Sequence, residues 1–541
     1  MEKRRFIKDP LWGNLEIFLW ESQLLSQFLV NRLHHVLQTS CAYLVYPGLR
    51  HSRLLHSLGV MHVATQMFVN LVANTAKPLP DEFSNEAQLV ETFFPDDKQK
   101  NSIIAAITER INCPSQYALL LGTIRVSALL HDLGHLPYSH IFEFALDRFI
   151  HNSFSENMEL LGYELPDEQQ QIVRRFHVGL NDIFGSGASI HERLGQSLLK
   201  TLLHPYRSNP FQEEFSFAPF VNGAIQLWVG QRLPISKSLL YADIDADRID
   251  FVNRDSSFSG LFQSAVDFGR LFSFYELAKT EDKDNNIVLR ARPSLRASAE
   301  AEKLLWERFL DYKYIMSHHK VHLFDEILER LLYFCISEGS MNAILEPIIT
   351  LAREPISQVI SDRKRVLEAE NGVLSSFNDS WVDVQLRKSY EETVKKQDEI
   401  ATASLRKTLY EGLSEQRNLF KPVFKRDEDY YEKLGFTATA GISLRISLAI
   451  KEHKYRWERA LSDRLGTSVI VGDLSKKLRV GLADTRTTEF FGLTSLREFL
   501  ESKYHSSRQL NVWYYTPLGD RQTGNEQEII DFLKTQLSDI L

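Results

Sequence analysis

The run LLHSLGVMHVATQMFVNLVAN, residues 54–74, sets apolar side chains three and four positions apart with no proline among them. That spacing draws one apolar stripe along a helix, and a stripe of that length has to be buried against other helices. The same period returns over 117–130, 139–151, 190–203, 236–253 and 298–336. Leu133-Gly134 breaks the second of these runs just after His131-Asp132, and Pro137 precedes the third. Residues 82–116 and 150–185 read as insertions, the second of them polar and partly helical over 156–185. Between about 340 and 430 the pattern stays helical but carries more charge, with a turn at Asn371-Gly372. Past about 430 the signal changes. SVIVGDL (468–474), KLRVGL (477–482) and LNVWYY (510–515) read as short strands, with helices at 441–463, 494–503 and 525–540. The expected fold is mainly α: a helical core over 1–335, a helical extension over 336–430, and a small α/β region over 431–541.

Charge and cysteine usage narrow the function classes. With 63 basic and 71 acidic residues the net charge is −8, so the chain carries no overall basic field for nucleic acid. The short basic runs at 363–365 and 476–477 read as solvated helix faces, and a role for nucleic acid stays open. Cys41, Cys113 and Cys335 are too far apart for a zinc motif or a disulfide framework, which predicts buried thiols in a reducing compartment. MEKRRFIKDPLWG has charge but no apolar signal core, and no run of 18 apolar residues occurs, so the expected location is the cytoplasm, without a membrane span.

The chemistry gathers around SALLHDLGHLPYSH. His131 and Asp132 stand side by side at the end of an apolar helix, and His135 and His140 follow within nine residues. Upstream, HSRLLHSLGV offers His51 and His56; downstream, ADIDADRIDFVNRD offers Asp243, Asp245, Asp247, Asp250 and Asp255. Imidazole nitrogen and carboxylate oxygen together suit a divalent ion such as Mn, Fe, Mg or Zn. Any one of these residues, taken singly, reads as a core histidine or a surface carboxylate. His140 lies three residues before Glu143 and Arg53 three before His56, so each pair shares a helix face.

Six strings in order, DPLWGNLEI (9–17), YPGLRHSRLLHSLGV (46–60), HDLGHLPYSHIFE (131–143), HERLG (191–195), DADRIDFVNRD (245–255) and RNLFK (417–421), resemble the HD phosphohydrolase superfamily, and within it the deoxynucleoside triphosphate triphosphohydrolase branch. They span about residues 1–425. The resemblance implies an HD-domain helical core with one divalent ion on His56, His131, Asp132 and Asp247, and positions left for water and a phosphate oxygen. It gives His140 the part of general acid or proton relay, oriented by Glu143 where the family has Asp. His135 is matched to a histidine at the α-phosphate, and His191, followed by Glu192, to one facing the phosphates. Arg53 and Arg248, the latter where the family usually has Lys, are matched to phosphate binding, Gln38 to the sugar, and Asp255 to the 3′-hydroxyl. Phe251 stands for the usual Tyr: its ring keeps the steric exclusion of a ribose 2′-hydroxyl and gives up the phenolic hydrogen bonds. The string RFLDYKYIMSHHK (308–320) resembles a base- and phosphate-contacting helix, from which Arg308 and Tyr314 are taken.

The implied reaction is attack of water on the α-phosphorus of a dNTP, giving a deoxynucleoside and inorganic triphosphate, with a further Mg on the substrate triphosphate as an option. Control of dNTP pools follows, either as housekeeping or as defence against phage or virus. Ser26, Asn31 and His34 fall where the animal members have Asp, Gln and Arg in an activator site, which argues against a GTP-specific activator of that kind and leaves another nucleotide activator open. A homo-oligomer, tetramer or larger, is the family habit. Two rival readings remain at this level: an HD-type phosphodiesterase or nucleotidase on other nucleotides, and a nucleotide-sensing module whose HD site is structural.

Overall fold

The computed structural model describes residues 4–75, 80–161, 163–185, 189–203, 216–228, 232–261, 264–281, 287–342, 345–346, 377–396, 402–414, 418–475, 488, 490–516 and 524–538. Within them the protein is mainly α. The helix Ala118–Leu130 is buried at every residue and forms the axis of the main core; its one charge, Arg125, is paired with the buried Glu21. Arg53–Asn74 packs along it and also against Ala246–Ser259, which brings three chemistry-bearing segments to one place. Ser52 caps the first of these helices, its hydroxyl accepting from Leu55 N at 3.3 Å.

Two helices expected as single pieces are divided. Instead of one helix over 236–253 there is a short helix Pro234–Ser238, a turn, and then Ala246–Ser259. The divider is Asp245: its carboxylate accepts from Ala242 N at 2.7 Å and from Arg248 N at 2.8 Å, so it closes the turn and caps the second helix. The expected helix over 298–336 is Ser298–Leu310, then a π-helical stretch Asp311–Met316, then His319–Ser337. The extra residue per turn of a π stretch changes which side chains face inward.

Two β-hairpins were not expected. Arg5–Asp9 pairs with Gly13–Ile17, and Tyr275–Glu281 with Ile287–Pro293, both antiparallel. The first has strands of five residues with mixed polarity, too short to carry a clear period of two. Its turn is made by Asp9, whose carboxylate accepts from Leu11 N at 2.7 Å and Trp12 N at 2.9 Å.

Toward the C-terminus, Phe420–Pro422 and Val469–Asp473 flank Leu510–Tyr515 in an antiparallel three-stranded sheet. The helices Asp427–Leu434, Ala440–Leu465, Thr494–Ser506 and Gly524–Ser538 accompany it. The region has its own apolar core, which begins at Val423 and Phe424 and so starts before residue 431. Ile470 and Trp513 belong instead to the main core, which ties the sheet to the helical body. The expected strand at 477–482, the basic runs at 363–365 and 476–477, the Asn371-Gly372 turn and Arg417 of the RNLFK string lie outside the described residues. Cys41, Cys113 and Cys335 are buried free thiols. No helix among the described residues is long and apolar enough to cross a membrane.

Candidate metal centre and active site

His131 caps the C-terminal end of the central helix, His56 sits in the first turn of Arg53–Asn74, and Asp247 sits in the first turn of Ala246–Ser259. The Nε2 atoms of His56 and His131 face each other at 3.2 Å. Their Nδ1 atoms are engaged on the far side. His131 Nδ1 lies 2.7 Å from the Ala128 carbonyl, and His56 Nδ1 lies 2.8 Å from Asp250 Oδ2. A carbonyl oxygen only accepts, so His131 Nδ1 carries the proton and its Nε2 presents a lone pair. The Asp250 carboxylate selects the same tautomer in His56. Asp247 Oδ1 closes on both rings, 3.0 Å from His56 Nε2 and 3.6 Å from His131 Nε2, and Asp132 Oδ1 lies 3.3 Å from His131 Nε2. Lone pairs and carboxylates aimed at one point repel unless positive charge sits between them, so the donor set fits a divalent cation. A bare proton answers to the same field: burial works against it, but Asp247, Asp250 and Asp132 outweigh burial and push His56 up to about 10.

The ligand set is held from behind by a buried chain of charges. Arg254 Nε and Nη2 donate to Asp250 at 2.9 and 2.8 Å, and Nη2 also reaches Asp9 at 3.0 Å. Trp12 Nε1 donates to Asp250 at 2.5 Å. Gly59 makes room for this, since a Cβ there would overlap the Asp250 carboxylate and the Arg254 guanidinium. Burial opposes ionisation of Asp250, but Arg254 and His56 prevail and hold it below the usual carboxylate range.

A second group of side chains adjoins the first through His135. Its Nε2 lies 3.2 Å from Asp132 Oδ1, while its Nδ1, on the other side of the ring, is buried without a partner. Burial and the nearby Arg53 keep this imidazole neutral, well below its ordinary range. His191 stacks on it with ring centroids 4.2 Å apart and planes 12° from parallel. His140 stands edge-on to both, at 5.2 Å and 5.3 Å. One carboxylate serves two of the three rings: Glu143 Oε2 lies 3.0 Å from His140 Nδ1, and Oε1 lies 2.7 Å from His191 Nδ1. Burial resists its charge, yet its two histidine partners hold Glu143 far below the usual range. Glu192, next to His191 in sequence, is exposed, and the carboxylate at the His191 ring is Glu143. His135, His140, Glu143 and His191 could also ligate a cation. The near-parallel stack argues against it, since an ion in the plane of one ring would lie off the plane of the other.

Charge for an anion stands on the other side of the centre. Arg248 Nη1 and Arg308 Nη1 converge on Asp243 Oδ1, at 2.5 and 3.4 Å. Arg53 is committed differently: it is buried, with Nη1 2.6 Å from Asp132 Oδ2 and Nε and Nη2 on Ser139 Oγ at 3.0 and 2.8 Å. It fixes Asp132 and the loop before His140, which leaves less of its fork for a phosphate than the sequence suggested. Gln38 has a buried Oε1 without a partner. Asp255 lies 2.9 Å from His51 Nε2, and its neighbour Ser256 donates to Asp311 at 3.0 Å. Burial and the adjacent Asp255 drive the Asp311 carboxyl well above its usual range. Phe251 is half-buried.

Tyr314 is not brought to this place. It is 52% exposed; its carbonyl accepts from the Tyr46 hydroxyl at 2.9 Å and Lys313 Nζ lies over its ring, 5.9 Å from the centroid. Tyr312 is the tyrosine that faces inward, where burial raises its pKa and Arg308, Asp255, Arg248 and Asp247 all act on it. It lies four residues after Arg308, the spacing that shares a helix face; the six-residue spacing to Tyr314 does not.

No family model matches the chain. It is 25% identical over 293 residues to the mouse deoxynucleoside triphosphate triphosphohydrolase SAMHD1, covering 52% of this chain and 35% of that one. It is 22% identical over 338 residues to the uncharacterized protein YwfO of Bacillus subtilis, covering 62% of this chain and 56% of that protein. An uncharacterized protein of Methanocaldococcus jannaschii is 21% identical over 338 residues, 62% of this chain and 51% of its own. The matches thus span about half or less of those relatives. A crystallised phosphohydrolase of Bacteroides thetaiotaomicron shares the fold, with a TM-score of 0.51 at 16% identity over 95% of this chain and 100% of that one. Together these show a fold shared with a solved phosphohydrolase and a distant similarity, over part of their length, to the SAMHD1 triphosphohydrolases. The His/Asp cluster is in keeping with a divalent metal at its centre.

Proposed function

We propose that the protein hydrolyses deoxynucleoside triphosphates to a deoxynucleoside and inorganic triphosphate. The observation that carries this reading is the pairing of facing His56 and His131 nitrogens, 3.2 Å apart, with three further imidazoles beside them, two of which share Glu143. The name of the SAMHD1 relatives adds the substrate class.

His56, His131, Asp132 and Asp247 would hold one divalent ion, which neutralises charge on a phosphoryl group and lowers the pKa of bound water. The chain's own residues do the rest. Arg248 and Arg308 exchange their shared carboxylate, Asp243, for the denser charge of a triphosphate. His135, kept neutral, offers Nδ1 as a hydrogen-bonding group to a phosphate oxygen. Water adds to the α-phosphorus and the bond from phosphorus to the sugar 5′-oxygen breaks. His140, oriented by Glu143, supplies the proton that the 5′-oxygen takes up. Gln38 Oε1 and Asp255 accept from sugar hydroxyls, and the Phe251 ring leaves no room for a 2′-hydroxyl. A homo-oligomer and a nucleotide activator belong to the same reading; sedimentation with and without nucleotides tests both.

The deciding experiment is a product profile with each of the four dNTPs and with GTP under defined metals. Release of triphosphate with a deoxynucleoside is expected. Release of monophosphate or pyrophosphate would replace this reading with a phosphodiesterase or nucleotidase.

A further inference from the structure

The loop that delivers His140 is bent into a conformation its residues do not favour. Tyr138 and Ser139 have φ of 53° and 55°. Ser139, at ψ −127°, is the residue immediately before the His140–His151 helix. Backbone of that kind is ordinarily glycine's, and a side-chain-bearing residue stays there only when its surroundings hold it.

The restraint comes from outside the helices that carry the metal centre. The helix Asp379–Lys395 begins with a buried carboxylate, Asp379, whose two oxygens are divided between two loops. Oδ1 accepts from Tyr138 N at 2.8 Å, and Oδ2 accepts from Leu37 N at 3.0 Å. One turn on, Asp383 accepts from the Tyr138 hydroxyl at 2.5 Å. Arg32 completes the strap: Nη2 donates to the Leu133 and His135 carbonyls at 2.6 and 2.9 Å, and Nη1 to the Phe377 carbonyl at 3.4 Å. Ser139 Oγ, held by Arg53, donates to the Leu37 carbonyl at 3.1 Å. One carboxylate therefore joins the loop that ends in His140 to the loop that carries Gln38.

We propose that Asp379 is a positioning residue: with Asp383 and Arg32 it clamps the Tyr138–Ser139 turn onto the Leu37–Gln38 loop and so sets where His140 and Gln38 stand. The helix that follows residue 377 is then part of the reactive centre, although it donates no group to it. The activity side of this inference rests on the proton-donor reading of His140; the geometric side does not.

Two measurements on the full chain separate the two. Hydrogen–deuterium exchange of Asp379→Ala should be faster at peptides covering Leu37 and 133–140, with metal content unchanged. In turnover, kcat should fall by about 10- to 100-fold, the range expected of a misplaced group, with less effect on KM. The same substitution made in a His140→Ala background should cost much less in kcat, because only the part of its effect that passes through the Leu37–Gln38 loop remains; an equal cost in both backgrounds would mark a merely structural role and overturn the proposal. Unchanged exchange at those peptides overturns it as well. A wild-type protein that turns over no dNTP defeats the reaction assigned above and leaves exchange to decide the clamp. Should D379A not fold, Tyr138→Phe, which deletes only the hydroxyl held by Asp383, carries the same two readouts.

Discussion

The two halves of the site are built on different principles. In the metal half each Nδ1 is assigned by a buried partner: Ala128 and Asp250 take the outer protons of His131 and His56, and Arg254, itself held by Asp9, holds Asp250 in turn. In the imidazole half a single carboxylate is shared, and the His140 side chain remains 55% exposed. The first arrangement fixes lone pairs in one place, as a cation requires. The second leaves a ring that is open to solvent yet aimed by one carboxylate. His135 joins the two halves, with Nε2 3.2 Å from Asp132 Oδ1 and its ring stacked on His191.

Substitutions can break that contrast, beginning with the largest effect. His131→Ala or Asp132→Ala should abolish turnover together with bound metal, read by elemental analysis alongside the assay; activity retained in a metal-free variant would count against the scheme. His140→Ala should keep the metal and lose about 10²–10⁴-fold in kcat, the usual weight of an acid–base group; a wild-type rate would remove His140 from the mechanism. Asp250→Asn should be milder in rate but weaken metal affinity by about 10- to 100-fold, as for other groups that orient a ligating histidine, read by metal titration. Unchanged affinity would mean that Asp250 serves only Arg254.

The smallest effect on turnover is expected away from both halves, at Glu86. This buried carboxylate caps the Pro234–Ser238 helix through Ile235 N at 2.7 Å and Ser236 N at 3.1 Å, and burial pushes it up to about 7. A folded pKa above the unfolded one means that the unfolded chain ionises first. Its contribution is therefore fully present below about 4.5 and lost as pH rises through about 7. Glu86→Gln should flatten the fall in stability over that window, measured by thermal melts, while kcat stays as it was.

Some of this was legible early. The period of the long helices marks the core, because side chains three or four apart on a helix share a face whatever packs against it; the four ligand positions were only what the family resemblance implied. Asp250 stood among the candidate ligands; its three-residue distance from Asp247 placed it on the same side, but not behind His56. Tyr312, rather than Tyr314, stands at the four-residue spacing from Arg308, so the spacing rule by itself points to it. Glu143 as the partner of His191 required knowing that two helices meet there. Beside them the loop before His140 also touches the helix of His191, where Gly134 approaches Gly195 so closely that a Cβ on Gly134 would strike the backbone.

The sequence by itself determined which residue types were available for metal and phosphate chemistry and which helices would carry them, since periodicity and donor chemistry are local. Only the tertiary structure decided which nitrogen of each histidine is free, which carboxylate stands behind which ring, and that a helix starting at Asp379 holds the turn before His140. Those facts depend on side chains hundreds of residues apart being buried together, where an unpaired charge or amide is too costly to leave alone.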